Sequence, residues 1–258
     1  MIHYKRAMRA LIVAFTYRDH INYQFDPQHV IEDVRRALTF LKGKTSVKDI
    51  CILTDSKFPF ACPTVHITSG QQWLDIVLHE FAKAEPLFFY LTGHGIRIIS
   101  PKGKVQNVSL IIPSKNNSQG ELIPSNGVQK ILSYMPTETI CIMDCCYSQR
   151  FCPSRLGHEQ IFIGSTLKNQ TCGFYSSSES FSGSLFSHAL FKHLRMIHTK
   201  KQARVHLLEN IEDDILSYRV GQQKAPQEIF IHTTTEYLFP WLYEKSPVLL
   251  QNEADWSP

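Results

Sequence analysis

The chain has no C-x-x-C pair, no apolar run of the ~18 residues that a membrane-spanning helix needs, no low-complexity block and no linker long enough to divide it. Each absence excludes something. Without paired Cys spacing, the 12 His and seven Cys do not compose a structural zinc site. His188, His193 and His198 recur every five residues, which on a helix sets neighbours ~140° apart and prevents convergence on one ion. An odd number of scattered cysteines argues against a disulfide framework and for a reducing, cytoplasmic setting. A single-sign charge surplus is also missing. The net charge is +4, and Lys200, Lys201 and Arg204 read as a solvated helix end, so neither nucleic acid nor membrane is expected as a partner. The N-terminus MIHYKRAMRALIVAF has the basic start of a signal peptide. Its apolar run, 10–15, is too short and lacks a small-residue cleavage site, so it reads as a buried first strand.

What is present suits one globular unit of 258 residues, 43% apolar and 19% charged. Six short runs rich in β-branched and aromatic residues stand out: ALIVAF (10–15), DICILT (49–54), PLFFYLT (86–92), TICIMD (139–144), QIFIGS (160–165) and QEIFIH (227–232). Near-continuous apolar runs of this length suit strands buried on both faces, hence a mostly parallel sheet. Between them lie stripes of helical period. Val30, Val34, Ala37, Leu38 and Leu41 end at Gly43, and Trp73, Val77, Phe81 and Ala84 follow Ser69 as cap. Val128, Ile131 and Leu132 follow Ser125; Leu185 to Ile197 form a longer stripe; Leu208, Ile211 and Ile215 form the last. Alternation of this kind predicts an α/β fold: a sheet of about six strands with helices on both faces. RIISPKGKVQNVSLII adds a small hairpin insertion turning at Pro101–Gly103, and the tail 241–258 reads as irregular.

Sites in such a sheet form beyond the carboxyl ends of the strands. Two ends carry chemistry. FFYLT runs into Gly93-His94-Gly95, an exposed imidazole on permissive backbone. CIM runs into Asp144-Cys145-Cys146-Tyr147-Ser148. A thiol needs a base or cation nearby to react at neutral pH. Neighbouring strands would bring His94 to one of these thiols. Taken singly, His94 reads as a turn histidine and Cys146 as a structural thiol. Their separation of about 52 residues makes the pair far more specific. Cys145, Cys146 and Cys152 also form a cluster open to reversible oxidation.

FFYLTGHG resembles the "YSGHG" segment of metacaspases and paracaspases, and DCCYS resembles their "D-x-C-H-S-G" nucleophile segment. RALIVAFTY is similar to their first strand, and STLKNQTCGFYSSSESFSGSLFSHAL to the strand and Ser/Gly-rich loop that lead into a later helix. The likeness covers roughly residues 8–235. It implies a caspase-like three-layer sandwich in one peptidase domain over 1–258, with a large-subunit-like part (1–150) and a small-subunit-like part (158–240). It implies a cysteine endopeptidase with Cys146 as nucleophile and His94 as acid and base, the N–H groups of Gly95 and Cys146 holding the oxyanion. Cys145 is the alternative nucleophile.

The resemblance also implies specificity. Asp144 matches the acidic pocket residue of metacaspases and paracaspases, Asp33 fits their "N-D-A/V" segment, and Thr92 replaces the Ser of "YSGHG" in lining the same pocket. Two carboxylates favour Arg or Lys before the scissile bond. The other reading of Asp33 is a first-turn acid complementing a helix dipole. Two departures count against the match: Tyr147 and Gln149 stand where the family has His and Gly. Many metacaspases hold calcium in an acidic cluster after GHG, but residues 102–126 contain one acid, Glu121, so no calcium, other metal or cofactor is expected. The partners implied are protein or peptide substrates, with the chain a monomer or a homodimer through the last strand. The short segment after Cys146 favours a single uncut chain, although Arg150 and Arg155 are open to self-cleavage. A catalytically weak interaction module, or a related peptidase of other specificity, are the competing readings.

Overall fold

The computed structural model describes residues 7–20, 22–44, 47–101, 103, 105–172, 174–177, 181–196, 205–219 and 227–234. The expected tail 241–258 and the basic trio Lys200, Lys201 and Arg204 lie outside the described residues.

All six apolar runs are strands of one sheet: β1 (Met8–Ala14), β2 (Val47–Thr54), β4 (Leu87–Thr92), β8 (Thr139–Asp144), β9 (Gln160–Gly164) and β12 (Phe230–Thr233). A seventh, the three-residue β3 (Thr64–His66), joins at one edge and has no apolar run to announce it. The strand order is β12-β9-β8-β4-β1-β2-β3. Every pairing is parallel except β12 against β9. The central strands β1, β4 and β8 are buried along their whole length, as double-faced burial demands.

Successive residues of these strands feed opposite cores. Ile12, Phe88, Tyr90, Ile140 and Ile142 pack with α1 (Pro27–Lys42), α4 (Leu185–Met196) and α5 (Val205–Arg219). Leu11, Val13, Phe89, Leu91 and Met143 pack with α2 (Gly70–Phe81) and α3 (Ser125–Leu132). The result is three layers. The caps follow the sequence: Ser69 accepts from the Gln72 N–H at 3.2 Å, and Asp26 accepts from the Gln28 N–H at 2.9 Å ahead of Pro27.

The insertion is larger than a hairpin. β5 (Gly95–Ile99), β6 (Val105–Ser114) and β7 (Asn117–Pro124) form a three-stranded antiparallel sheet. Gly103 turns the first pair with φ +73°, a conformation open to glycine. A two-stranded ribbon, β10 (Phe174–Ser177) with β11 (Phe181–Ser184), precedes α4. β8 and β9 pair directly, so the two parts expected on either side of Cys146 share one sheet. No described helix is long and apolar enough to cross a membrane.

Candidate active site

The site starts from register. β4 and β8 are adjacent and parallel, with Thr92 opposite Asp144, and the Gly93 N–H donates to the Asp144 carbonyl at 3.2 Å. His94 and Cys146 each stand two residues past that pair, so the sheet delivers both to one rim. The two chains touch there. A methyl group at Gly95 would stand 2.0 Å from the Cys146 carbonyl oxygen, and one at Gly93 would stand 2.7 Å from the Tyr17 hydroxyl. Both glycines of GHG are therefore required by close approach.

His94 is held from several sides. Its backbone N–H donates to the Tyr17 hydroxyl at 2.8 Å, and that hydroxyl donates to the Ile111 carbonyl at 3.0 Å. The ring stacks on Phe25 at 3.9 Å between centroids, with Tyr17 at 4.8 Å and Tyr23 at 5.7 Å. Nε2 lies 2.8 Å from the Tyr23 carbonyl oxygen. A carbonyl can only accept, so Nε2 carries the proton and Nδ1 is left as the basic nitrogen. Burial lowers the His94 pKa to about 4, against the small upward pull of that carbonyl. The ring is a neutral imidazole near pH 7. No motif in the sequence marks a third group to orient the His. The structure supplies a backbone carbonyl, which no side-chain motif records.

The two adjacent thiols have different surroundings. Cys145 is fully buried in the core beside α2 and α3, and burial pushes its pKa well up. Cys146 keeps partial exposure. Its Sγ is 3.6 Å from the Cys172 Sγ and accepts from the Cys172 N–H at 3.4 Å. The Cys172 thiol hydrogen bond, ahead of other causes, lowers the Cys146 pKa below the ordinary thiol value. The sequence cluster of Cys145, Cys146 and Cys152 is thus not the spatial one. The Cys152 sulfur contacts the Pro153 carbonyl and His232 Nδ1, and it is Cys172 that faces Cys146.

The segment after Cys146 accommodates both departures from the motif. Tyr147 takes the left-handed turn, φ 60° and ψ 24°, its N–H donating to the Gln170 carbonyl at 2.9 Å. The Arg97 guanidinium sits over its ring. Ser148 and Thr166 tie the turn to the strand beyond: the Ser148 N–H donates to Thr166 Oγ1 at 2.9 Å, and the Thr166 N–H to Ser148 Oγ at 2.9 Å. Gln149 then enters a short 3-10 turn, Ser148–Phe151, with no positive φ, and its Oε1 accepts from the Lys168 N–H at 3.0 Å. Glycine's freedom is not needed at that position.

A second cluster lies on the α1 side of the sheet. Asp33 and Asp144 are fully buried, and each is pushed up in pKa, chiefly by desolvation; for Asp33 the charge of Asp144 adds to it. Asp33 accepts the Ser184 N–H at 3.0 Å and Arg36 Nη1 at 2.7 Å. Pro27 opens α1, so Asp33 lies beyond its first turn and the dipole reading does not hold. Asp144 Oδ2 accepts from Ser187 Oγ at 2.6 Å. With its one hydrogen so placed, Ser187 accepts from the Tyr90 hydroxyl at 2.6 Å. Asp144 Oδ1 and Thr92 Oγ1 are buried without a hydrogen-bond partner. Tyr90 and Ser187 were not singled out from the sequence, because a buried strand Tyr and a helix Ser carry no periodic signal of their own.

Among the described residues no acidic cluster follows GHG to match calcium. Glu121, the one acid of the stretch after GHG, lies over Gly70 at the start of α2. Among the described residues no three His, Cys, Asp or Glu side chains are grouped to hold a metal ion.

Comparison with known proteins bears on the family and the fold. The model of the metacaspase, peptidase C14 domain matches residues 8–154. Protein GSU0716 from Geobacter sulfurreducens is similar in structure with a TM-score of 0.55 at 9% identity, over 93% of this chain and 98% of that one. Caspase-1 from Spodoptera frugiperda is similar with a TM-score of 0.54 at 12% identity, over 89% of this chain and 87% of that one. At such identities the likeness is one of fold. No curated protein matches the sequence.

Proposed function

Because this chain belongs to the metacaspase, peptidase C14 family, we propose that it is a cysteine endopeptidase cleaving after Arg or Lys, with Cys146 as nucleophile and His94 as its proton-transfer partner. The carrying observation is the register of β4 and β8, which sets a neutral imidazole with a defined tautomer and a half-buried thiol at one strand rim.

In the proposed cycle, His94 Nδ1 accepts the Cys146 proton as Sγ attacks the scissile carbonyl. The backbone N–H groups of Gly95 and Cys146 hold the developing oxyanion, each such donor commonly worth ~3 kcal/mol. His94 returns the proton to the leaving amine, and water then hydrolyses the thioester with His94 as base. The imidazolium formed in between is favoured by the Tyr23 carbonyl, to which Nε2–H already points.

The specificity reading rests on the buried acids. Arg36 pairs with Asp33, whereas Asp144, held by the Ser187 hydroxyl, has no ion pair among the described residues and is the acid left to meet a cation. A substrate Arg or Lys supplies it, and its arrival turns a costly buried carboxyl into a compensated pair. The proposed enzyme takes no calcium. A second copy of the chain would add along β12, one of the two edge strands of the sheet.

Fluorogenic peptides ending in Arg, Lys, Asp or Asn, assayed with and without a calcium chelator, test the whole reading. Turnover of Arg and Lys peptides in chelator, absent in Cys146→Ala, is expected. Full turnover by Cys146→Ala removes the nucleophile; cleavage after Asp alone removes the pocket assignment.

A further inference from the structure

Cys146 and Cys172 are separated by 26 positions and two strand ends, yet their sulfurs lie 3.6 Å apart. The contact is built from both sides. The loop carrying Cys172 is pinned to the turn after Cys146 by the Tyr147 N–H to the Gln170 carbonyl, 2.9 Å. It closes on itself through Leu167 N–H to Gln170 Oε1, 3.2 Å, and reaches Glu228 through Gln170 Nε2, 2.8 Å. Cys172 offers its own N–H to the Cys146 sulfur at 3.4 Å. All seven cysteines are free thiols.

We propose that Cys172 is a resolving cysteine: oxidation of Cys146 by a peroxide ends in a reversible Cys146–Cys172 disulfide that silences and protects the site. The bond needs only the two sulfurs. Its effect on activity rests on the proposed role of Cys146.

The chemistry balances in two steps. The Cys146 thiolate attacks one peroxide oxygen, the O–O bond breaks, and two electrons pass from sulfur to the departing hydroxide, leaving sulfenic acid. Cys172 sulfur then attacks the Cys146 sulfur, the S–O bond breaks, and the Cys172 proton leaves with that oxygen as water. A dithiol reductant reverses the bond by exchange. Closure to a ~2.05 Å S–S bond asks for a shift of about 1.5 Å, within reach of two side-chain rotations and a surface loop. The division of labour follows from the surroundings. Both thiols are partly exposed, but the Cys172 N–H points at the Cys146 sulfur, and Cys146 is held low in pKa by this neighbour, whereas Cys172 is pushed up by the same thiol contact and by burial. Cys146 therefore meets the oxidant first, and without Cys172 its sulfenic acid would go on to irreversible sulfinic acid.

The full chain is exposed to hydrogen peroxide, then to dithiothreitol, with non-reducing peptide mass mapping and peptidase assay at each stage. Expected are a linked pair of peptides holding Cys146 and Cys172, a mass loss of two hydrogens, and activity that dithiothreitol restores. Cys172→Ser is expected to gain oxygen instead and to recover about tenfold less activity. Cys62→Ser, at the opposite edge of the sheet, is expected to behave as the unmutated chain. A bond from Cys146 to Cys145 or Cys152, no bond at all, or full recovery by Cys172→Ser overturns the proposal. The mapping on the unmutated chain decides even where Cys172→Ser does not fold. Were Cys146→Ala still active, the nucleophile reading would fall while the mapped bond was judged by itself.

Discussion

Gly95 meets Cys146 backbone to backbone, and this contact sets how far the imidazole loop stands from the thiol. An added methyl at 2.0 Å from a carbonyl oxygen forces the two strand ends apart. Misplacement of reacting groups by about 1 Å commonly costs ~100-fold in rate. Gly95→Ala is therefore expected to lower kcat/KM by roughly that factor while circular dichroism stays native. At Cys146 the decisive neighbour is Cys172, whose thiol is the first cause of the lowered pKa. A depressed thiol pKa means thiolate persists to lower pH. Iodoacetamide alkylation of Cys146 should thus titrate below the ordinary thiol value of 9.0, and Cys172→Ala should move that midpoint upward. An unchanged midpoint in the variant would show that another group tunes the thiol.

Among the elements, β1 reaches furthest into the site through the residues just beyond its end. Tyr17, in a left-handed turn at φ 54°, joins the His94 backbone to β6 through one hydroxyl. Removing that hydroxyl leaves a buried carbonyl and a buried N–H short of a partner, at a cost of about 1–3 kcal/mol. Tyr17→Phe should show that loss in urea unfolding, together with a fall in kcat. Helix α1 contributes Asp33 from its buried face, tied to β11 through the Ser184 N–H and to Arg36. Asp33→Asn keeps the shape and removes the charge that Arg36 answers. The guanidinium, no longer answered by a carboxylate though still bound to the Ser182 carbonyl, would then repel a basic substrate residue, so KM for Arg and Lys peptides should rise more than kcat falls. An Asp33→Asn enzyme with unaltered KM would separate α1 from substrate binding.

For the molecule as a whole, buried titratable groups make stability depend on pH. His94 has a folded pKa of about 4 against an ordinary 6.5, so its contribution is complete above 6.5 and is lost as pH falls toward 4. The shift corresponds to about 3 kcal/mol. His188, also lowered to about 4 by burial first, acts in the same direction and window. Asp33 and Asp144, raised above 3.8, act oppositely, their stabilisation of the neutral form fading as pH rises above that value. The His94 share is therefore read as a difference: between pH 6.5 and 4 the unmutated chain should lose more stability, by urea midpoint, than His94→Gln does. Equal changes in the two would mean that the imidazole is not desolvated as described.

The strands were legible because burial on both faces writes itself as an unbroken apolar run, and α1 and α2 because a one-sided core imposes a 3.6-residue period and a capping residue. The GHG and DCCYS segments stood out because an imidazole between glycines and adjacent thiols, each at the end of an apolar run, are uncommon patterns, and the β4–β8 register sets them at one rim. β3 was not legible, being three residues at an edge with Val65 alone turned to the core, and neither was β7, whose Asn117–Pro124 carries only Leu122 and Ile123 as apolar residues and pairs through backbone. Only the tertiary structure brought Cys172 to Cys146, Tyr23's carbonyl to His94, and Ser187 and Tyr90 to Asp144. These are meetings of distant segments across loops and layers. Local sequence encodes which face a residue turns inward; it does not encode which remote partner waits there.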